Sequence, residues 1–315
     1  MTVYSGLTFF EVFWTFFIRM GELLTGKLPF QQLASDELQI LVLSTLGATA
    51  ALVGSFLVLR KMTMLANALS HTILLGIVGV FILSGGSLMA VTTNIYWMLS
   101  AALVMGLVTT FLTQFVTTVL KVQEDASIGL VFVTLFAIGV LLVTVLTKNT
   151  HIGIEVVMGN VDALRIEDLK LLLLILGINI FLFVLFKKEF FLTTFDPFFA
   201  RTLGFSTLFF DYLLMVQMSI TAVGAFRVVG VLMVLSFITA PVLLARLITY
   251  RINRLIAFAI FSSILISFIS VALTRHLLTV YGMALSTSGM VVALLFVSYL
   301  VVALVRRRYV TQSSV

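Results

Sequence analysis

Three side chains that can contact a metal ion share one face of an apolar segment. Met64, Asn67 and His71 are separated by three and four residues, a spacing that aligns them on one side of a helix. Neutral imidazole is a common ligand for divalent transition metals, whereas an amide oxygen is a weaker and uncharged one. The pattern indicates either a transient metal contact at these residues or a hydrogen bond that joins His71 to a neighbouring helix.

An acidic pair precedes a second apolar segment. Glu124 and Asp125 stand immediately before the uncharged run 126–147. Carboxylates at a helix N-terminus complement the positive end of the helix dipole. Two interpretations follow: the pair caps this helix, or it forms an acidic vestibule for cations.

The segment 195–206 could act mechanically. Asp196 and Pro197 suit the N-cap and the first turn of a helix. The small residues Ala200 and Gly204 follow at a spacing of four, which would let another surface approach closely. The segment is interpreted either as an ordinary interfacial loop or as a docking helix.

The elements that must position these residues are membrane helices. Of the 315 residues, 61% are hydrophobic and 10% are charged, and the mean hydropathy is +1.23. A soluble domain carries about 25% charged residues, and about 20 apolar residues cross a bilayer as a helix. The candidate spans are 5–24, 38–60, 66–83, 97–120, 126–147, 168–186, 207–226, 229–249, 254–274 and 286–305. We predict an all-α, polytopic transmembrane bundle of about nine or ten helices without a soluble domain.

Basic residues mark one side of this bundle. The net charge is +6, and the basic residues stand at the ends of apolar runs, which is a topology signal and does not indicate nucleic-acid binding. They are Arg60, Lys61, Lys121, Lys187, Lys188, Arg246, Arg251, Arg254, Arg306, Arg307 and Arg308. With ten spans they all lie on one side, which the positive-inside rule identifies as the cytoplasm. We therefore expect a transmembrane domain over 37–306 and a cytoplasmic C-terminal tail over 307–315.

Several segments leave the topology open. Residues 1–36 form an N-terminal apolar part and an outer loop, but Glu11 and Arg19 interrupt 5–24, which either crosses the bilayer or lies along its interface. Gly224, Arg227 and Gly230 mark a break within 207–249. The predicted outer side carries acidic and histidine side chains, interpreted as a solvated loop or as a surface that attracts cations. These are His151, Glu155, Asp162, Glu167 and Asp168.

One stretch imitates a nucleotide-binding loop. Gly21 to Lys27 match the first seven positions of the phosphate-loop pattern, but Leu28 stands where Ser or Thr must contact magnesium. We therefore expect no nucleotide site and no enzymatic activity in this chain, so that any ATP-driven step needs a separate subunit. The chain has no cysteine, which excludes thiolate metal sites and disulfides.

Four stretches resemble the membrane permease of the ATP-binding-cassette importers of manganese, zinc and iron. They are the Gly-x-Phe-x-Val-x-Arg element at 54–60 with Asn67-Ala68-Leu69-Ser70-His71, the segments 124–129 and 137–142, Phe195-Asp196-Pro197 with Ala200 and Gly204, and 229–233 with Ala240, Pro241, Ala245 and Arg246. They follow the family's order over roughly two thirds of the chain. One departure is Asn67, where the family has Asp and a carboxylate would hold a dication more strongly.

The resemblance implies a machine of several subunits in the plasma (inner) membrane of a bacterium. It implies cytoplasmic ATPase subunits, a second permease subunit that is identical or related, and an external metal-binding protein. It also implies that 195–206 is the coupling helix, in which Asp196, Ala200 and Gly204 meet the ATPase. No tightly bound cofactor is expected, because the divalent metal ion is the transported substrate.

Three other functions fit parts of the pattern. A secondary transporter driven by an ion gradient usually holds paired ionisable residues at mid-membrane, and such residues are few here. A permease for a metal chelate such as haem or cobalamin would share the helical build, but the region 67–71 favours bare ions. A membrane scaffold without transport would not need a docking helix at 195–206.

Overall fold

The chain folds as a succession of helices. A computed structural model describes residues 4, 9–27, 29, 32–83, 95–147, 161 and 164–312, and for some helical residues, among them Glu124 and Arg227, the backbone alone. Within these ranges there are twelve helices and no strand. The helices are α1 Phe9–Leu24, α2 Ser35–Leu59, α3 Thr63–Leu83, α4 Ile95–Val119, α5 Glu124–Thr147, α6 Ile166–Leu185, α7 Lys187–Phe195, α8 Pro197–Thr202, α9 Thr207–Val229, α10 Val231–Ile248, α11 Ile252–Tyr281 and α12 Thr287–Gln312.

Half of these twelve helices contain a stretch with the length and composition of a membrane span. Among the described residues, six stretches are long and apolar enough to cross a bilayer, and they lie in α2, α5, α6, α9, α11 and α12. Shorter apolar stretches, Leu103–Val119 and Leu232–Ile248, lie in α4 and α10. Each predicted span from 38–60 onward overlaps one of the helices. The prediction of an all-α, polytopic membrane bundle is confirmed.

The helices belong to two compact units. The first unit comprises Met1–Leu52, Asn160–Leu176 and Ser236–Val315, and the second comprises Val53–Gly159 and Gly177–Leu235. The metal-contact candidates, the acidic pair and the segment 195–206 all belong to the second unit. Each unit is therefore described by itself.

In the second unit, α3 packs against α4, α5 and α9. Glycines allow a close approach: a Cβ on Gly76 would lie 2.8 Å from the Ala101 carbonyl oxygen of α4, and one on Gly139 of α5 would lie 3.1 Å from the Leu75 nitrogen. Small residues at such crossings are typical of membrane helices, whose association depends on van der Waals packing. These contacts bring α3 close to α4 and α5 around residues 75 and 76.

In the first unit, α11 packs against both α1 and α12. The Phe268 ring of α11 lies 4.9 Å from the Phe13 ring and 5.1 Å from the Phe16 ring, centroid to centroid, in edge-on arrangements. Val12 of α1 and Ala272 of α11 are fully buried in the same contact. This apolar seam positions α1 along α11.

The break predicted within 207–249 lies at one glycine. α9 ends at Val229, α10 begins at Val231, and Gly230 between them has φ +82° and ψ 163°. Glycine alone adopts this backbone conformation at low cost. Of the three residues that mark the break in the sequence, Gly230 is therefore the one that separates the two helices.

Candidate functional site

The metal-contact candidates lie on α3, as the sequence predicts. Met64 is 59% exposed in the first turn of the helix, whereas Asn67 and His71 are half-buried. Because the helix is continuous from Thr63 to Leu83, the spacing places all three on one face. The face therefore runs from an exposed thioether to a half-buried imidazole.

His71 lies against aromatic side chains of α5. Its ring centroid is 5.3 Å from that of Phe132 and 5.5 Å from that of Phe136. Among the described residues, no group of three or more His, Asp or Glu side chains is placed to hold an ion.

A hydrogen bond beside His71 fixes the orientation of this face. The Thr109 hydroxyl of α4 donates to the Thr72 hydroxyl of α3 over 3.1 Å, and both residues are fully buried. A buried hydroxyl without a partner would cost free energy, so the bond favours one rotational setting of α3. In this orientation of α3, His71, which precedes Thr72, lies towards α5.

The acidic pair stands at the beginning of α5. The helix starts at Glu124, and Asp125 is exposed in its first turn. The side chain of Glu124 lies outside the described part of the chain. Capping is consistent with this placement, and the acidic vestibule stays a prediction.

The segment 195–206 contains the short helix α8. Asp196 is its N-cap: the carboxylate oxygen Oδ1 accepts a hydrogen bond from the Phe199 backbone N–H over 2.9 Å, and Pro197 occupies the first turn. These are the local roles predicted from the sequence. α8 packs between α7 and α9, with which it makes its contacts.

Ala200 and Gly204 have different surroundings. Ala200 is fully buried, so its small side chain faces the protein and lets α8 lie close to the helices beside it. Gly204 is exposed, has φ +86°, and a Cβ built on it would have no atom within 4 Å. Of the two residues, Gly204 is the one that an approaching surface could reach.

An apolar surface on and beside α8 was missed by the sequence reasoning. The exposed fractions are 61% for Phe195, 78% for Phe198, 52% for Phe199 and 54% for Leu203. Large aromatic side chains on a short, rigid element are typical anchors of protein–protein interfaces. The adjacent phenylalanines after Asp196-Pro197 were the available signal. These four side chains are called the α8 knob below.

A buried arginine ties the segment around α8 to the end of α2. Arg60 donates to the Thr194 hydroxyl over 3.0 Å and to the Thr193 hydroxyl over 2.7 Å, and it forms an ion pair with Asp211 of α9. The Arg60 side chain is 6% exposed. A planar guanidinium can serve several acceptors at once. We call these four residues the Arg60 cluster. It joins the end of α2 to α7 and α9.

α8 has its own link to α9. The Arg201 guanidinium donates from Nε to the Thr207 hydroxyl over 3.1 Å. Ser206 caps α9, because its hydroxyl accepts from the Phe209 backbone N–H over 3.2 Å. The turn between α8 and α9 is therefore held at both ends, and a displacement of α8 would be passed on to α9.

The remaining polar candidates are local or undescribed. Asp168 is buried at the start of α6, where its Oδ2 accepts from the Arg165 backbone N–H over 2.9 Å. Glu167 is exposed. His151, Glu155 and Asp162 lie outside the described residues.

Comparisons with known proteins find a family and relatives that match most of the chain. The model of the family described as "ABC 3 transport family" matches residues 38–306. The "Probable metal transport system membrane protein" of Chlamydia trachomatis is 40% identical over 302 residues, 95% of this chain and 92% of that protein. The "Manganese transport system membrane protein MntD" of Bacillus subtilis is 38% identical over 219 residues, 65% and 72% of the two chains.

A solved structure has the same fold. It is described as PsaBC from Streptococcus pneumoniae in complex with Fab, and its matching chain superposes with a TM-score of 0.72 at 22% identity. The match covers 93% of this chain and 99% of that chain. At this identity the likeness bears on the arrangement of helices.

Proposed function

This chain belongs to the ABC 3 transport family, and we propose that it is the membrane permease of an ATP-driven importer of divalent transition-metal ions. The ion would be manganese, zinc or iron, and the ATP would be hydrolysed by a separate cytoplasmic subunit. Metal transport is the function named for the two relatives, and manganese is the metal named for one of them. The coupling to ATP and the route of the ion follow from the positions of the residues below under this proposal.

The observation that carries the proposal is the α8 knob. Its apolar side chains stand on and beside a short capped helix, which follows α7 and precedes the membrane helix α9, on the side that the basic residues predict to be cytoplasmic. An exposed aromatic patch of this kind marks a binding surface. An ATPase subunit with an apolar cleft would bury it.

The Arg60 cluster would carry the resulting force into the bundle. Movement of α8 reaches α9 through Arg201 and Thr207, and α7 lies against the guanidinium of Arg60 at the end of α2. Three residues after Arg60, α3 begins at Thr63. The polar face of α3 is thus connected by a short stretch of chain to Arg60, which is hydrogen-bonded to α7, the helix that precedes α8.

The ion itself would pass along the α3 face. Met64, Asn67 and His71 offer a thioether, an amide and an imidazole, which are neutral donors suited to transition metals. Glu124 and Asp125 would form the vestibule on the cytoplasmic side. An external metal-binding protein would supply the affinity, and a second permease subunit, identical or related, would complete the path.

The test is transport in vesicles that contain this chain and its ATPase subunit. We expect ⁵⁴Mn²⁺, ⁶⁵Zn²⁺ or ⁵⁵Fe²⁺ to accumulate when ATP is present and the metal-binding protein is supplied, with ATP hydrolysis rising at the same metal concentrations. An ATPase subunit with an inactivated hydrolytic site is the matched control and should give no accumulation. Uptake that proceeds with that control, or without any nucleotide, would identify a gradient-driven transporter. Transport of haem or cobalamin in place of the bare ions would identify a chelate permease.

A further inference from the structure

Two distant residues of the N-terminal segment meet on one carboxylate. Glu37, in the first turn of α2, is 1% exposed. Its oxygen Oε1 accepts a hydrogen bond from the Tyr4 phenol over 2.8 Å and forms an ion pair with Arg19 of α1. The other oxygen, Oε2, accepts from the Ala34 backbone N–H over 2.9 Å. Tyr4 precedes α1, whereas Arg19 lies near its end.

This geometry is incompatible with an α1 that carries the chain across the bilayer. From residue 9 to residue 19 a helix rises about 15 Å, yet Tyr4 and Arg19 both contact the same oxygen atom. Tyr4 and Arg19 therefore both lie at the level where α2 begins. α1 has 16 residues, a length of about 24 Å, which is shorter than the hydrocarbon core of about 30 Å.

A second ion pair joins the start of α2 to α11. Arg275 lies 3.5 Å from the Asp36 carboxylate and donates to the Tyr4 carbonyl oxygen over 3.4 Å. Burial and the hydrogen bond to Glu37 raise the pKa of Tyr4 well above its ordinary value, so the phenol keeps the proton that it donates. The start of α2, the C-terminal part of α11 and the N-terminal segment are thus joined by charged and buried contacts.

One face of α1 is packed and another is exposed. Val12 and Phe16 are buried against α11. Four of the exposed side chains are apolar and recur at helical spacing: Phe10 is 81% exposed, Trp14 70%, Phe17 54% and Ile18 49%. Glu11 and Glu22 are also exposed on this helix. α11 also exposes apolar side chains, Phe261 at 61% and Leu265 at 43%, within two turns of its contact with α1. The exposed face of α1 thus continues the apolar surface of a predicted membrane span.

We propose that α1 is an interfacial helix which lies in the leaflet where α2 begins, with Phe10, Trp14, Phe17 and Ile18 against lipid and the N-terminus on that same side. Aromatic side chains favour this depth, where the rings meet acyl chains and their polar edges meet headgroups. The buried carboxylate of Glu37 and the half-buried guanidinium of Arg19 then lie at the boundary between headgroups and acyl chains. The bilayer is then crossed nine times, by α2 to α6 and α9 to α12, and the two chain termini lie on opposite sides.

The topology can be read with cysteine labelling, because the chain has no cysteine of its own. A flexible Ser-Gly-Cys extension before Met1 is compared with Lys27→Cys and Lys61→Cys, both at exposed positions outside the spans. In intact cells with a membrane-impermeant maleimide, we expect the extension to react together with Lys27→Cys, and Lys61→Cys to react only after permeabilisation. An extension that reacts together with Lys61→Cys would overturn the proposal, because α1 would then cross the membrane.

The lipid contact can be read from Trp14. The chain contains two tryptophans, so Trp97→Phe leaves Trp14 as the single fluorophore. In phosphatidylcholine vesicles, bromine atoms at carbons 6 and 7 should quench its emission at least twofold more strongly than bromine atoms at carbons 11 and 12. Stronger quenching by the deeper bromines would indicate a spanning helix. An absence of quenching by both lipids would indicate that protein, such as a second copy of the chain, covers this face; either result would overturn the proposal.

These readouts do not depend on transport. The side on which the N-terminus lies is compared with the sides of two positions in the same chain, and the quenching requires neither ATP nor metal. The proposed function is used only to name the side where α2 begins as the outer one. A failure of the importer hypothesis therefore leaves the topology experiment interpretable, and the reverse also holds.

Discussion

Arg60 and Met64 are four residues apart, yet the polar groups around them are organised in opposite ways. Arg60 is buried and makes two hydrogen bonds and an ion pair with residues of α7 and α9. The α3 face that begins at Met64 has an exposed thioether, a half-buried amide and an imidazole that lies against two phenylalanine rings. The Arg60 side chain is thus held by several polar contacts, whereas the candidate metal donors of α3 lie exposed or against aromatic rings.

The difference corresponds to two physical requirements of a transporter. An element that passes on force must not yield, and a buried, multiply bonded guanidinium resists displacement because each broken bond leaves an unsatisfied group. An element that passes on ions must not retain them, and neutral donors without a charged cluster bind weakly enough for release. The comparison predicts that mutations on α3 change transport of the ion, whereas mutations around Arg60 and α8 change its coupling to ATP.

The largest effect is expected for His71→Ala on α3. Removal of the imidazole takes away the strongest neutral donor of the face, and we expect metal uptake to fall by about 100-fold, the scale of losing an important metal contact. Assembly with the ATPase and basal ATP hydrolysis should stay unchanged. The measurement is ATP-dependent ⁵⁴Mn²⁺ uptake in vesicles with pull-down of the ATPase.

His276→Ala provides the matched control for this substitution. His276 lies near the end of α11, in the other unit, and its buried Nδ1 has no hydrogen-bond partner among the described residues. The control should therefore retain uptake. Normal uptake by His71→Ala would remove α3 from the path of the ion.

The next effect is expected at the α8 knob. Burial of a phenylalanine side chain contributes about 1.5–3 kcal/mol, so Phe198→Glu should weaken ATPase binding by about tenfold or more. The affinity is measured by titration of the ATPase subunit onto the permease in detergent, together with ATP-dependent uptake. Met283→Glu is the control, since Met283 is 48% exposed in the connection after α11. Equal losses in both variants would mean that the knob is not the ATPase contact.

Asn67→Asp should strengthen the binding of the metal ion on α3, whereas His71→Ala should weaken it. A carboxylate about 4 Å from a dication in wet surroundings gains about 2 kcal/mol, twice the value for a unit charge, and part of this gain is lost to screening. We expect the half-saturating metal concentration to fall about tenfold, and the maximal uptake rate to fall because release is slower. Asn67→Leu removes the oxygen without adding charge and should not lower the half-saturating concentration. An unchanged value in Asn67→Asp would show that residue 67 does not face the ion.

Local features of both regions could be predicted from the sequence, whereas their partners could not. The helix around His71, the start of α5 at Glu124 and the cap at Asp196 follow from hydropathy, spacing and turn chemistry over a few residues. The contacts of Arg60 join residues 133 to 151 positions apart, and no local pattern encodes such a pairing. The same is true of Tyr4 and Glu37, 33 positions apart. Long-range polar contacts depend on how helices pack, and this required the structure.

The smallest effect, and the one that most directly separates the two regions, is expected for Arg60→Lys. An ammonium keeps the charge opposite Asp211 but, as a compact group, cannot also reach Thr193 and Thr194 with the geometry of a planar guanidinium. The loss of such bonds costs about 1–2 kcal/mol, so the thermal midpoint should fall by a few degrees. Metal ions transported per ATP hydrolysed should fall about threefold, and this ratio is measured in vesicles by parallel uptake and phosphate-release assays.

The same substitution at Arg254 tests whether this loss belongs to the cluster. Arg254 is exposed in the first turn of α11, so Arg254→Lys should change neither the thermal midpoint nor the ratio of transport to hydrolysis. Because Arg60→Lys leaves the donors of α3 in place, its half-saturating metal concentration should stay at the wild-type value. A shift in that concentration with an unchanged ratio would reverse the assignment, and it would place Arg60 on the path of the ion instead of the path of the force.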